Sequence, residues 1–305
     1  MSTDVKKLLI FSISFILTVY MVDAALSALL EQAYSRMKGG ERGRADFAIR
    51  KSKADLYIFG SSRALGHYDP KIFYSVLKKK SYNAGRPAQS ILYHLSLFKL
   101  ILARHTPDIV ILDLNETELI YDYKKYELMS SLLPYYSEPT VKETLTKIDS
   151  RYKFNNYFSV LKYNSSIGAI IYRSVFSKND ESMDGFIPYK GFRNSSEIVN
   201  DNCNDSLNID PKLVQSLMEF QKLCKEKGIR LVIAISPRFA TYKCKQIDLL
   251  YLQEEVQRLG IEFLDYSSNR RFIENKAFMY DVAHLNETGA KEYSHEIASY
   301  LIHGK

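Results

Sequence analysis

Short, nearly continuous apolar runs recur along the chain: Asp55–Gly60 (DLYIFG), Tyr82–Gly85, Asp108–Leu114 (DIVILDL), Arg230–Ser236 (RLVIAIS) and Ile261–Asp265. Apolar runs without alternation, bounded by turn residues, predict strands buried on both faces. Between them the apolar positions follow helical spacing. Pro70 opens a helical segment to Lys80, and Pro87 suits the first turn of a helix. Ile91, Leu92, Leu95, Phe98, Ile101 and Leu102 then form one face through His105. Asp210-Pro211 starts a helix whose inner face is Leu213, Val214, Leu217, Phe220 and Leu223, and Gly228 ends it. Ile247–Leu259 is a helix stopped by Gly260, and Glu287–Ile302 closes the chain. Strands alternating with helices predict a parallel sheet covered on both faces. The stretch 116–209 is rich in Tyr, Asn and Ser and weakly periodic. It is expected as an insertion, partly helical, in a domain spanning 54–305.

The N-terminus breaks this pattern. Lys6-Lys7 precede an apolar run to Val22, and Leu8–Leu30 contains one charge, Asp23. Roughly 20 apolar residues suffice to cross a bilayer. A signal anchor over residues 1–30 is preferred, with a charged stalk at 31–53. A cleaved signal peptide, with Val22-Asp23-Ala24 as the site, is the second reading. A buried core helix is the third, and it must accommodate Asp23. Lys6 and Lys7 favour an N-terminus inside; Arg36, Lys38, Arg42 and Arg44 argue the other way. N-inside is preferred, because a large domain translocates largely regardless of its charge. The soluble part is then extracytoplasmic.

Composition adds limits rather than identity. The 305 residues carry a net charge of +7, spread out apart from the N-terminus and Lys78-Lys79-Lys80. A nucleic-acid partner would show a basic stripe, so none is expected. Cys203, Cys224 and Cys244 have no metal or redox spacing. A Cys203–Cys244 bridge is conceivable in an oxidising compartment, and Cys224 reads as core. No metal-ligand spacing appears, no Gly-x-Gly-x-x-Gly follows the first strand, and no cofactor is expected.

The candidate chemistry lies at strand ends, where sheets of this kind bind ligands. Gly60-Ser61-Ser62-Arg63 follows the first strand. A serine hydroxyl needs a base within hydrogen-bond reach, and the base needs an orienting group. Asp281-Val-Ala-His284 precedes the last helix, and a tight turn there lets Asp281 hold the His284 tautomer. His67 and His94 are rivals by residue type; His67 has only Asp69 as an obvious acid, and His94 falls within a helical run. Gly85 ends the second strand and offers an unencumbered N–H; Asn115 ends the third and offers an amide. With the Ser62 N–H these make a three-donor oxyanion hole. Arg63 and Arg238 are weak candidates for substrate contact, with a structural salt bridge the favoured role for both.

Four such blocks in order resemble the SGNH/GDSL hydrolase superfamily, whose signature residues match Ser62, Gly85, Asn115 and Asp281/His284. The stretch Asp281-Val-Ala-His-Leu-Asn-Glu-Thr-Gly-Ala is the most specific part. Two departures stand out: the usual Gly-Asp-Ser-Leu is Gly-Ser-Ser-Arg, which leaves Ser61 as the alternative nucleophile, and Asp113 stands where Gly is usual. The resemblance implies a three-layer α/β/α sandwich with a parallel, flavodoxin-like sheet. Gly-Ser-Ser-Arg behind one membrane span looks like envelope-associated branches of that superfamily. These include the D-alanyl transfer protein of teichoic-acid modification, and relatives that acetylate or deacetylate exported polysaccharides beside a membrane-bound acyltransferase. The implied function is a serine esterase or O-acyltransferase working on an acylated envelope glycan through an acyl-Ser62 intermediate. The competing reading is a catalytically idle scaffold that binds glycan or docks a membrane acyltransferase. A cytosolic lipase-like enzyme with Leu8–Leu30 as a core helix fits Asp23 less well.

Overall fold

The computed structural model describes residues 2–37, 39–176, 184–192, 198–200, 206–242 and 246–303. Cys203 and Cys244 lie outside the described residues. The chain divides into two compact units: residues 1–43 with 129–180, and residues 44–128 with 181–305.

The larger unit is α/β. Its strands are β1 (Leu56–Gly60), β2 (Ser81–Asn83), β3 (Ile109–Asp113), β4 (Ile198–Asn200), β5 (Arg230–Ile235), β6 (Ala240–Tyr242) and β7 (Glu262–Asp265). Five form one sheet in the order β2-β1-β3-β5-β7, every pair parallel. Counted within the sheet, that is the flavodoxin-like order 2-1-3-4-5. β4 and β6 form a separate two-stranded parallel sheet.

Side chains alternate across the pleat and supply both faces. Leu56 and Ile58 of β1 join Ile109, Ile111, Val232 and Ala234 in a core shared with Phe73, Tyr293, Ile297 and Leu301. Those last four lie on the helices Pro70–Leu77 and Glu287–His303, which form one outer layer. Phe59 points the other way, its ring 5.7 Å from Phe98 and 5.9 Å from Phe220. These two belong to the helices Ile91–Leu102 and Pro211–Lys227, the opposite layer. The fold is therefore a three-layer α/β/α sandwich.

Local chemistry explains where helices begin and end. Asp210 accepts the Lys212 N–H at 2.9 Å, and Gly228 takes the left-handed conformation after the helix. The helix from Pro70 ends at Leu77, short of Lys80, because Lys78 is left-handed at φ 57°. The next helix starts at Ile91, not at Pro87: Ala88 has φ 60°, and the Ile91 N–H donates to buried Glu118 at 2.7 Å. The stretch 31–53 is mostly helical. Gly40–Arg50 forms a helix, Ala48, Ile49 and Ser52 are buried, and Arg104 donates to all three of their carbonyls.

The smaller unit is all-helical. The helix Thr3–Ser35 is long and apolar enough to cross a membrane. Residues 2–22 are exposed all round. From there Asp23, Ser27, Leu30 and Tyr34 are buried, a spacing that marks one helix face. Tyr34 meets the rings of Tyr135 and Tyr163. The Asp23 carboxylate accepts the N–H groups of Ser159 and Val160 at 2.8 and 3.1 Å. These are orphan donors at the start of the 3-10 helix Ser159–Ser166, so Asp23 caps an element 136 residues away.

Candidate active site

The sheet order reverses at β1, which has β2 on one side and β3 on the other; the crevice beyond strand ends at such a point is where ligands bind. β1 ends at Gly60, whose φ of +140° is barred to most side chains, and a Cβ there would lie 2.3 Å from the Asp113 carbonyl oxygen. This turn delivers Ser62 to the first position of the helix Ser62–His67.

Ser62 Oγ lies 2.8 Å from His284 Nε2. His284 Nδ1 lies 2.9 and 3.1 Å from the two Asp281 oxygens. A carboxylate can only accept, so Nδ1 carries the hydrogen and Nε2 is left to accept the Ser62 hydroxyl proton. Asp281 is fixed in turn by the N–H groups of Ala283 and His284, at 2.8 and 2.9 Å from Oδ1. The Asp-x-x-His spacing thus closes a tight turn with the carboxylate at its centre. Ser61 is buried at the N-cap of that helix, and its carbonyl accepts the Leu65 N–H.

The two rival histidines are fully enclosed. His67 Nε2 accepts the Leu285 N–H at 2.9 Å, the peptide immediately after His284. Burial, with His284 and Arg63 nearby, pushes the His67 pKa well below its ordinary value, so the ring is neutral and able to accept. Burial likewise pushes His94 down to about 3. The His67 and His284 rings meet nearly at right angles, with centroids 6.2 Å apart.

The expected oxyanion donors are arranged less simply. The Gly85 N–H is not unencumbered: it donates to Asn83 Oδ1 at 2.9 Å. Asn83 in turn donates to the carbonyls of Ala64 and Tyr68, clamping the helix Ser62–His67 to the end of β2. A Cβ at Gly85 would lie 2.5 Å from the Leu65 nitrogen, so glycine there permits close packing. Asn115 Oδ1 accepts from Arg63 at 2.8 Å, and its side chain also bonds the Glu118 carboxylate. An amide nitrogen has two hydrogens, so Asn115 retains a second donor.

Arg63 and Arg238 are structural in this arrangement. Arg63 is buried and donates to the Leu114 and Ser236 carbonyls, to Asn115 and to both Glu116 oxygens. Arg238 pairs with Glu116 at 3.4 Å. Burial opposes ionisation of Glu116, yet the two arginines hold its carboxyl below the usual range. Asp113 is buried beside them and accepts from Ser236 Oγ. Burial pushes its pKa up to about 6, against the opposing pull of Arg63, Ser236 and Tyr68.

Sequence reasoning missed Glu116, the Asn83 clamp and the role of His67. It also missed Tyr189, whose ring lies 4.5 Å from His284 and stacks on Tyr280 at 5.2 Å. Its hydroxyl reaches the Ser62 carbonyl at 3.4 Å. Glu116 had a visible signal, a charge three residues past the end of a buried strand; Tyr189 sat in a segment without periodicity and had none. Among the described residues, no group of three or more His, Cys, Asp or Glu could hold a metal ion.

No protein-family model matches the chain, and no curated protein matches it in sequence. Among solved structures it is similar to one described as a candidate acylhydrolase from Bacteroides fragilis NCTC 9343 (11% identity, 85% of this chain and 95% of that one, TM-score 0.42). An acetyl xylan esterase is another (11% identity, 81% and 99%, TM-score 0.40). A third is described as a candidate lipolytic protein of the G-D-S-L family from Desulfitobacterium hafniense DCB-2 (11% identity, 81% and 96%, TM-score 0.35). At these scores none of them carries the function of this chain.

Proposed function

We propose that the chain is a serine-dependent esterase or O-acyltransferase of the SGNH type, membrane-anchored, acting on an acylated cell-envelope glycan. The observation that carries the catalytic part is the continuous Ser62–His284–Asp281 hydrogen-bond chain. Ser62 Oγ attacks the acyl carbonyl carbon while its proton passes to His284 Nε2. Asp281 keeps the imidazolium in place without taking its proton. Collapse of the tetrahedral adduct breaks the ester C–O bond, and the leaving oxygen takes the proton back from His284. Water or a sugar hydroxyl then attacks acyl-Ser62, giving its proton to His284, and Ser62 is restored. The Ser62 N–H and the second Asn115 amide hydrogen serve the oxyanion; Gly85 joins them only if Asn83 lets go.

Support for a glycan is chemical. Tyr189 and Tyr280 stack beside the triad, and such faces suit the C–H surfaces of sugars. Support for anchoring is the helix Thr3–Ser35; the Lys6-Lys7 flank favours an extracytoplasmic α/β unit. The idle-scaffold reading keeps one observation in its favour, the engaged Gly85 N–H.

The test is hydrolysis of p-nitrophenyl acetate by the full chain in detergent, beside Ser62→Ala, His284→Ala and Ser61→Ala. Loss of turnover and of acetyl labelling in the first two, at least about 10³-fold, with Ser61→Ala active, supports the assignment. Activity surviving in Ser62→Ala sinks it. An inactive parent favours the idle scaffold or a strict transferase.

A further inference from the structure

We infer that the segment 149–160 of the helical unit is a second membrane contact, an aromatic belt seated in the lipid headgroup region and held at that depth by Asp23. This rests on the anchoring reading above. The fifteen residues from Leu8 to Val22 are uncharged, exposed all round and rise about 22 Å, most of the thickness of a bilayer's hydrocarbon core, with Lys6-Lys7 at their other end. The first buried residue after them is Asp23, the only charge in Leu8–Leu30. The bilayer boundary therefore falls at Asp23, where the helix first meets other parts of its unit.

Segment 149–160 sits at this level. Its Ser159 and Val160 N–H groups bind the Asp23 carboxylate. Its Phe158 stacks on Tyr20, one turn before Asp23, at 6.0 Å and 7° between planes. Phe154 and Tyr157 are 61% and 59% exposed although large and apolar, and Lys153 beside them is exposed too. Aromatic rings concentrate where chain passes from hydrocarbon to water, and a cation there meets anionic headgroups. An apolar patch continuous with an uncovered membrane-length helix is best covered by the same lipid. Asp23 has a stated use in this arrangement: it satisfies two orphan backbone donors at the depth where water becomes scarce.

The chain contains no Trp, so single Trp replacements report without background. Phe11→Trp reads the helix, Phe154→Trp and Tyr157→Trp read the belt, and Tyr74→Trp on the α/β unit is the control. The full chain is placed in phosphatidylethanolamine/phosphatidylglycerol vesicles carrying lipids brominated near the headgroup end of the acyl chains. Emission from the two belt reporters is expected to fall by about twofold or more relative to unbrominated vesicles, with Tyr74→Trp unchanged. Phe11→Trp quenched with both belt reporters unquenched overturns the belt and leaves the anchor standing. Unquenched belt reporters that shift to the blue with rising protein concentration also overturn it, assigning the patch to a second copy. Phe11→Trp unquenched overturns the anchor and the belt together. Asp23→Ala in the Tyr157→Trp background is expected to weaken quenching there and not at position 11; equal quenching removes Asp23 from the depth assignment.

Discussion

The two units solve the same problem, a carboxylate inside an apolar element, in opposite ways. In the α/β unit Asp113 ends the buried strand β3 and is enclosed by side chains: Ser236, Tyr68 and the Arg63–Glu116 pair. In the helical unit Asp23 interrupts an apolar helix and is satisfied by backbone N–H groups. The first arrangement ties several strand ends together and shifts the acid's pKa. The second satisfies only the start of one short helix. A buried polar network is thus concentrated where strand ends converge, beneath Ser62, whereas the buried face of the helix Thr3–Ser35 is tied by the separate bonds of Asp23 and of the Tyr34 hydroxyl to Tyr135.

Substitutions that break this contrast differ in size. The largest effect falls at Asp281. Asp281→Asn keeps its shape but no longer enforces the Nδ1–H tautomer of His284, so kcat for p-nitrophenyl acetate should fall by about 10²–10⁴-fold; an unchanged kcat would separate Asp281 from the chemistry. Next comes Arg63→Ala, which strips partners from Glu116, Asn115 and two buried carbonyls. Urea denaturation should show a loss of about 3–5 kcal/mol, against about 1 kcal/mol or less for the more exposed Arg238→Ala.

His67→Ala leaves the Leu285 N–H buried and unpaired. It should cost about 1–3 kcal/mol of stability and lower kcat more than it raises KM, because the peptide it loosens follows His284. His67→Gln, which can still accept that hydrogen bond, should recover part of both. If Ala and Gln behave alike, His67 is packing and nothing more.

Asp113 offers a pH test. Its folded pKa of about 6 is above the unfolded carboxylate value, so the native state binds the extra proton. The stabilisation from that proton is fully present below about pH 4 and is lost as pH rises to about 6, up to about 3 kcal/mol. Asp113→Asn has no such proton to lose. Its stability relative to the parent should therefore climb between about pH 4 and 6 and stay level above; a gap constant with pH would mean that the carboxyl titrates normally. A small effect, comparable to that of Arg238→Ala, is expected at Asp23→Ala, which removes a helix cap worth about 1 kcal/mol and should leave p-nitrophenyl acetate hydrolysis in detergent intact. A large loss of turnover there would show that the helical unit's tie reaches the α/β chemistry.

What could be read in advance follows the same division. β1, β3 and β5 were legible because strands buried on both faces must be apolar throughout, a constraint few other elements impose over five or six residues. The grouping of Ser62, His284 and Asp281 was legible because Asp281 and His284 meet within one turn, and Ser62 follows a conspicuous glycine at a strand end. The short 3-10 helices of 128–166 were not, since elements of this length impose no long apolar period.

Residue types and spacing, by themselves, determined the α/β alternation, the apolar N-terminal helix and the identities of the triad candidates. These depend on local periodicity and on chemistry that a residue carries wherever it sits. Only the tertiary structure decided which hydrogen bonds each polar group has already made. It turned Gly85 from a free donor into a clamped one, Arg63 and Arg238 into partners of Glu116, and His67 from a rival base into an acceptor for the Leu285 peptide. A hydrogen bond is satisfied by whichever partner comes within about 3 Å, and for these groups the partner comes from a distant part of the chain or from a side chain turned back on its own backbone.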